Sequence, residues 1–228
     1  VDHGLRASSA REAEWVAERA KALGFKHTTL VWGGNKPGSA LQARAREARY
    51  ALLVAHARGA MPAAVVTAHT ADDQAETLIM RLARGSGVDG LAAIPPRSED
   101  VPVQLSARVE AIPRCVLLRP LLGIPRSRLI ATLAAQAIPF ADDPSNRDRR
   151  FERVRIRDAM ASLAEIGLTR DALVRSAERL RSAREVLEQA ADDLEAHVLP
   201  QPHGADVRAD HEVELHRSEE RRVGKECR

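Results

Sequence analysis

His69-Thr70-Ala71-Asp72-Asp73-Gln74-Ala75-Glu76-Thr77 follows the short β-branched run Val65-Val66-Thr67 after one alanine and leads through Arg81 and Arg84 to Gly85-Ser86-Gly87. The β-branched run reads as a strand, and an amphipathic helix follows with Ala75, Leu78, Ile79 and Leu82 inward. A histidine and three carboxylates therefore fall where a strand ends and a helix begins. Open α/β sheets bind ligands outside the carboxyl ends of their strands. A helix start also favours negative charge, through its unpaired amide hydrogens and its dipole.

The flanking sequence repeats this alternation. Ser9 and Glu12 make a capping-box pattern before a helix with Val16, Ala20 and Leu23 on one face, and Gly24 ends it. Residues 27–32 read as a strand and 33–38 as an exposed loop. Ser39 then caps a helix whose expected buried stripe is Leu41, Ala45, Ala48, Leu52 and Ala55, closed by Gly59. Residues 97–114 read as loop or edge hairpin, and 115–118 as another buried strand. Pro125 suits a helix start, with Leu129, Ile130 and Leu133 on the apolar side. Strands alternating with helices of this length indicate a parallel sheet with helical crossovers. Beyond Thr169, a heptad-like series runs Leu173, Ala177, Leu180, Leu187, Ala191, Leu194, Val198. It is read as packing on the core or on a partner helix.

At 228 residues the chain has room for one sizeable core and a second small unit. Aromatic residues make up 3%, so Ala, Leu and Val must fill most of the interior. No apolar run approaches the roughly 18 residues of a membrane helix, and no signal-peptide pattern opens the chain. Cys115 and Cys227 stand far apart in no ligand-like spacing, and the natural compartment is a reducing cytosol, hence a cytoplasmic location. The net charge of +3 is small but uneven. Between Arg114 and Arg157, ten arginines stand against Asp142, Asp143, Asp148 and Glu152, a local balance of +6. Arginine suits phosphate because its planar fork binds two oxygens at once.

Five ordered blocks carry a resemblance. They are Val1-Asp2-His3-Gly4-Leu5-Arg6 with Ser9; Leu41-Gln42-Ala43-Arg44 with Arg46-Glu47-Ala48-Arg49-Tyr50; and His69 through Gly90-Leu91. Leu118-Arg119-Pro120-Leu121-Leu122 comes next, then Asp142-Asp143-Pro144-Ser145-Asn146 with Phe151, Arg153, Arg155 and Arg157. Together they resemble the tRNA(Ile)-lysidine synthetase family of the PP-loop ATP pyrophosphatase group. The resemblance implies an α/β fold: a Rossmann-like parallel sheet with helices on both faces, its first strand and PP-loop missing, followed by a helical segment. The implied domains are a partial adenylation domain over 1–157, a helical linker over 158–199 and a tail over 200–228.

The implied activity is a ligase reaction. Free L-lysine is joined to the wobble cytidine of an isoleucine tRNA with a CAU anticodon, after ATP adenylates the base and pyrophosphate leaves. The lysine ε-amine then displaces AMP at carbon 2 of the ring. ATP and Mg2+ are the implied cofactors, no membrane is involved, and a homodimer stays open. By resemblance Asp73 and Glu76 hold the lysine, and their helical spacing lets both face one side. An ε-amine has an unperturbed pKa of about 10.4, so a desolvated site or a nearby base must leave it neutral to attack; His69 and Asp73 are the catalytic candidates. Asp2, His3, Arg44, Arg49, Gly85 and Gly87 are the implied ATP contacts, and Asp72 a weak metal contact through Mg-ATP. Arg147, Arg149, Arg150, Arg153, Arg155 and Arg157 form the implied tRNA-facing patch, which positions a nucleic acid without reading its sequence. Thr70 stands where many members of the family carry a second histidine, and Val154 where they usually carry asparagine.

The family's Ser-Gly-Gly-x-Asp-Ser turn, which cradles phosphates on backbone amides, is absent from the 228 residues. An N-terminally truncated sequence is expected, and the family's C-terminal tRNA-recognition domains are not evident after about residue 200. Residues 217–228 resemble a translated sequencing adapter and are set aside. Two alternatives stay open: another PP-loop tRNA modifier of the thiolase type, and an inactive RNA-binding fragment.

Overall fold

The computed structural model describes residues 1–6, 8–36, 41–57, 64–99, 115–141 and 144–198. In chain order the elements are α1 (Ser9–Ala22), α2 (Leu41–Ala57), β1 (Ala64–Val66), α3 (Ala71–Leu82), α4 (Val88–Leu91), β2 (Arg97–Ser98), β3 (Val116–Leu118) and α5 (Arg126–Ala135). A 3₁₀ turn at Pro144–Arg147 precedes α6 (Glu152–Glu165) and α7 (Arg170–Val198). Two compact units result, one joining Val1–Asp73 to Pro95–Asp148, the other joining Gln74–Ile94 to the described part of Arg149–Arg228. The division falls inside α3.

In the first unit the described sheet has the order β1-β3-β2. β1 and β3 are parallel, with Val65 opposite Leu117, and β2 runs antiparallel to β3 along the other edge. The parallel crossover pair expected from the alternation is present. The stretch expected as loop or hairpin contributes the edge strand at its start, and residues 100–114 lie outside the described residues. Residues 27–32 differ from expectation. They carry one isolated parallel bridge, Asp2 to Val31, made by Asp2 N–H to the Leu30 carbonyl and Trp32 N–H to the Asp2 carbonyl, each 2.8 Å. A ladder of one bridge leaves the rest of the segment as extended chain, since strands gain stability from several successive pairs.

The core of this unit is built on β3, which is flanked on both sides. Leu117, in its middle, is 0% exposed and packs with Val65, Cys115 and Tyr50, with Leu53 and Ala57 against them. Alternation puts Cys115 and Leu117 on one face of the strand, and α2 lies on that face. The α2 stripe is therefore Tyr50, Leu53, Val54 and Ala57, with Ala45 also buried, while Leu41 and Ala55 are exposed. An aromatic ring buries far more apolar area than a row of alanines, and that decides the helix's rotation. Ser39 and Gly59 lie outside the described residues.

α1 also starts differently from the expected capping box. Ser8 is the N-cap, and the Glu12 carboxylate is held by Arg6 at 2.8 Å and by the Ser8 hydroxyl at 3.1 Å. Its end matches expectation: Phe25 N–H reaches the Ala20 carbonyl and Gly24 N–H the Lys21 carbonyl, the bond pair of a Schellman motif.

In the second unit, Ala75 and Leu78 of α3 pack with Ala93 and with Leu173 and Ala177 of α7, joined by Ile79, Leu91 and Met160. Leu82, expected inward, is exposed. The heptad series of α7 is buried only in its first half; Leu187 and Leu194 are 60% and 66% exposed. Gln74 acts as a buried stand-in for a ladder partner: its amide donates to the Ile94 carbonyl and accepts the Ile94 N–H, both at 2.8 Å. No helix among the described residues is long and apolar enough to cross a membrane.

Candidate active site

At the carboxyl end of β1, Thr67 extends the ladder by one bond, its N–H reaching the Leu118 carbonyl at 2.9 Å. Two residues on, His69 Nδ1 sits 2.9 Å from the Thr67 hydroxyl. Thr70 then stands just before α3, and Asp73 turns back onto it. Asp73 Oδ2 accepts the Thr70 N–H at 2.8 Å and the Thr70 hydroxyl at 2.9 Å. The backbone bond is the returning half of a capping box, with the carboxylate at the positive end of the helix. Thr70, where the resembling family often has histidine, thus serves Asp73 directly.

Asp72 has a different task. Its Oδ2 accepts the Arg126 N–H at 2.7 Å, the first amide of α5, so one carboxylate ties α3 to the start of another helix. Among the described residues, no group of three or more His, Cys, Asp or Glu gathers as metal ligands.

The first block of the sequence joins α2 through His3 and Arg49. Arg49 donates from Nε and Nη2 to His3 Nε2, at 3.3 and 3.2 Å. An accepting Nε2 requires the neutral ring with its proton on Nδ1. Burial, and then the Arg49 charge, push the His3 pKa below the ordinary histidine value, which favours that form. Among the described residues the buried Nδ1 has no hydrogen-bond partner. Trp32 meets the His3 ring edge-on at 6.0 Å between centroids, and Lys36 Nζ lies 4.1 Å above the Trp32 ring. Asp2 Oδ1 accepts the Gly4 N–H at 2.8 Å, and that bond leads the causes holding its carboxyl below the usual range. Arg44 does not join this group; it pairs with Glu47 one turn along α2 at 3.1 Å. Arg119, at the end of β3, is buried and straps the edge strand, donating to the Pro95 carbonyl at 2.6 Å and the Ser98 hydroxyl at 3.0 Å.

In the second unit, Glu76 is committed to arginines. Arg157 Nε and Nη2 each lie 2.8 Å from Glu76 Oε1, and Arg153 Nη1 lies 3.9 Å from Oε2. Arg153 also donates to the Thr77 hydroxyl at 3.3 Å. Two of the six arginines expected to face RNA are therefore turned onto α3. Arg155 donates to the carbonyls of Arg149 and Arg150, at 3.1 and 3.0 Å, and Arg149 pairs with Asp158 at 3.0 Å. Arg147, in the first unit, is exposed, as are Arg149, Arg150 and Arg155. Val154 is buried on α6.

The glycine loop has a local account. Gly85, at φ +70°, ends α3: its N–H bonds the Leu82 carbonyl and the Ser86 N–H bonds the Arg81 carbonyl. A Cβ at Gly90 would sit 2.5 Å from the Ser86 Cβ, so that position is closed to side chains. Arg81 donates to the Gly90 and Ala93 carbonyls, at 2.6 and 2.9 Å. At Gly87 a Cβ would meet nothing within 4 Å.

The profile of the PP-loop domain family matches residues 1–164. The chain belongs to the PP-loop family. It is 47% identical over 214 residues to a tRNA(Ile)-lysidine synthase of Bradyrhizobium diazoefficiens, covering 92% of this chain and 56% of that protein. With the tRNA(Ile)-lysidine synthase of Methylobacterium nodulans the identity is 49% over 192 residues, covering 84% and 53%. With that of Rhodopseudomonas palustris it is 48% over 195 residues, covering 86% and 53%. This PP-loop chain spans about half the length of the curated relatives it matches.

Thr67 escaped the sequence reading of this PP-loop chain, as did the helix-tying role of Asp72 and the Trp32–Lys36 contact. Only the Thr-x-His spacing could have signalled the first. The other two join positions distant in sequence or depend on a loop conformation.

Proposed function

We propose that the chain serves the ATP-dependent joining of free L-lysine to the wobble cytidine of isoleucine tRNA. The base is first adenylated with release of pyrophosphate, and the lysine ε-amine then displaces AMP. The observation that carries this reading is the near-half identity, across most of the chain, to relatives that bear the lysidine synthase name. The geometry adds support at Asp73, a carboxylate locked in one orientation by the two donors of Thr70.

In this reading Asp73 grips an ammonium group of lysine, and His69 takes the proton that the ε-amine must lose. Glu76, already met by Arg157, sets the arginine pair rather than meeting lysine first. His3 and Arg49 contact ATP as a unit, while Arg44 lies outside that unit. Magnesium enters only as the companion of the triphosphate, and no step depends on Asp72. Arg147, Arg149, Arg150 and Arg155 offer exposed guanidinium groups to tRNA phosphates. The parallel β1–β3 pair, with α2 on one face, supports reading the sheet as Rossmann-like with helices on both faces. Thiolation has less support, because Cys115 is buried in the sheet and no second cysteine stands among the described residues.

The test is transfer of labelled lysine to isoleucine tRNA with ATP, using the full-length protein beside its Asp73→Asn variant. Transfer by the parent with a raised lysine KM in the variant is expected. A parent that transfers nothing, or a variant with unchanged lysine KM, would refute the reading.

A further inference from the structure

We propose that Thr67 is a positioning residue for His69, its hydroxyl oxygen accepting a hydrogen bond from the ring's Nδ1–H and thereby leaving Nε2 as the basic nitrogen. The inference rests on the reading of His69 as the base. Its geometric ground is the 2.9 Å contact between Thr67 Oγ1 and His69 Nδ1.

The Thr67 side of the contact is fixed by the fold. Thr67 is β-branched, with few χ1 states, and its amide is fixed to the Leu118 carbonyl at 2.9 Å beside the central strand. His69 sits in the short connection between β1 and α3 and is partly exposed. The hydroxyl is therefore held where it meets Nδ1 of the ring. A neutral imidazole has one N–H and one lone pair, and the hydrogen bond at one nitrogen decides which atom is left basic.

The chemistry selects the tautomer. Lysine arrives with its ε-nitrogen protonated near neutral pH. With Nδ1–H donated to Thr67, Nε2 can accept that proton: one N–H bond of the ammonium breaks, an Nε2–H bond forms, and the electron pair stays on the lysine nitrogen for attack. The imidazolium keeps its Nδ1–H bond to Thr67 throughout, so the ring need not turn. The opposite tautomer presents an N–H at Nε2 and takes no proton there. The nearby carboxylate is occupied differently, since Asp73 Oδ2 already accepts two hydrogen bonds from Thr70. Gripping and proton removal are thus divided between Asp73 and His69, and each is held by its own threonine.

The decisive measurement is the His69 tautomer in the 15N-labelled chain, from long-range proton–nitrogen correlations of the neutral imidazole, with the His69 signal assigned by its loss in His69→Gln. An Nδ1–H ring is expected in the parent and in Thr67→Ser, with a shift toward Nε2–H in Thr67→Val. An Nε2–H ring in the parent overturns the assignment to Thr67, and this result needs no variant to fold. An unchanged tautomer in a folded Thr67→Val chain overturns it too. In the full-length protein, Thr67→Val should lower kcat for lysine transfer on the order of tenfold to a hundredfold, with little change in lysine KM and with recovery in Thr67→Ser. Full transfer by His69→Gln would instead overturn the base reading itself, whatever the tautomer.

Discussion

Arg157 grips Glu76 from the side, Nε and Nη2 both 2.8 Å from Oε1, with the Glu76 side chain 3% exposed and that of Arg157 37% exposed. The unequal burial predicts unequal costs. Removing Arg157 leaves a buried carboxylate facing Arg153 at 3.9 Å, whereas removing the Glu76 charge leaves a guanidinium that can turn to water. Arg157→Leu should cost about 3 kcal/mol, at the low end for breaking a buried pair, and Glu76→Gln about 1 kcal/mol. Urea unfolding of both variants measures the difference. Equal losses would show that burial does not govern this pair. The consequence for function is that lost tRNA binding in an Arg157 variant counts only after its folding has been checked.

Asp72 and Asp73 are adjacent and chemically identical, yet their contacts assign them different work. Asp72→Asn keeps an acceptor for the Arg126 amide but loses the charge at the start of α5, so thermal stability should fall by about 0.5–1 kcal/mol. Lysine KM should stay near the parent value. Asp73→Asn should reverse the pattern in the full-length protein, raising lysine KM tenfold or more, as loss of about 1.4 kcal/mol or more of binding would. A rise in lysine KM on changing Asp72 alone would show that the tie to α5 is not its main role.

The His3–Arg49 contact should be sensitive to acid. The His3 pKa lies below the ordinary histidine value because burial and then the Arg49 charge disfavour the imidazolium. The unfolded chain therefore binds the proton more readily than the folded one, and stability rises with pH through this window. What the neutral ring contributes is present above the ordinary histidine pKa and is lost as pH falls through the lowered folded value. Thermal midpoints taken from about pH 8 down to about pH 5 should drop more steeply for the parent chain than for His3→Gln. Parallel curves would remove His3 from the acid response.

The parts of this molecule legible in the sequence were those encoded by neighbours. The strand at Val65, the helix that follows it and the helix end at Gly24 are each set by residues within a few positions, where period and turn chemistry act directly. The rotation of α2 was not legible, because it depends on which face a distant strand offers; Tyr50 meets Leu117, and no local pattern announces that pairing. Site residues divided in the same way. Asp73 at a helix start could be read from position alone, but the engagement of Glu76 by Arg157 joins positions 81 apart. Charge in sequence showed the arginines without showing which would turn inward.

The 29-residue helix α7 offers the sharpest contrast between pattern and packing. A heptad-like series runs along its whole length, but Leu173 and Ala177 sit in the core with Ala75 and Leu78, while Leu194 is 66% exposed. Hydrophobic periodicity marks one face of the helix, and only burial gives that face energy. Leu173→Ala should therefore cost about 2–5 kcal/mol, with the value set by how far the cavity relaxes. Leu194→Ala should stay within about 0.5 kcal/mol, because an exposed leucine loses little area and alanine is the better helix former. Urea denaturation of the chain and the two variants gives both numbers. A large loss at Leu194 would mean that the far half of the helix is covered in solution, and repeating the titration at several protein concentrations would then show whether a second copy covers it.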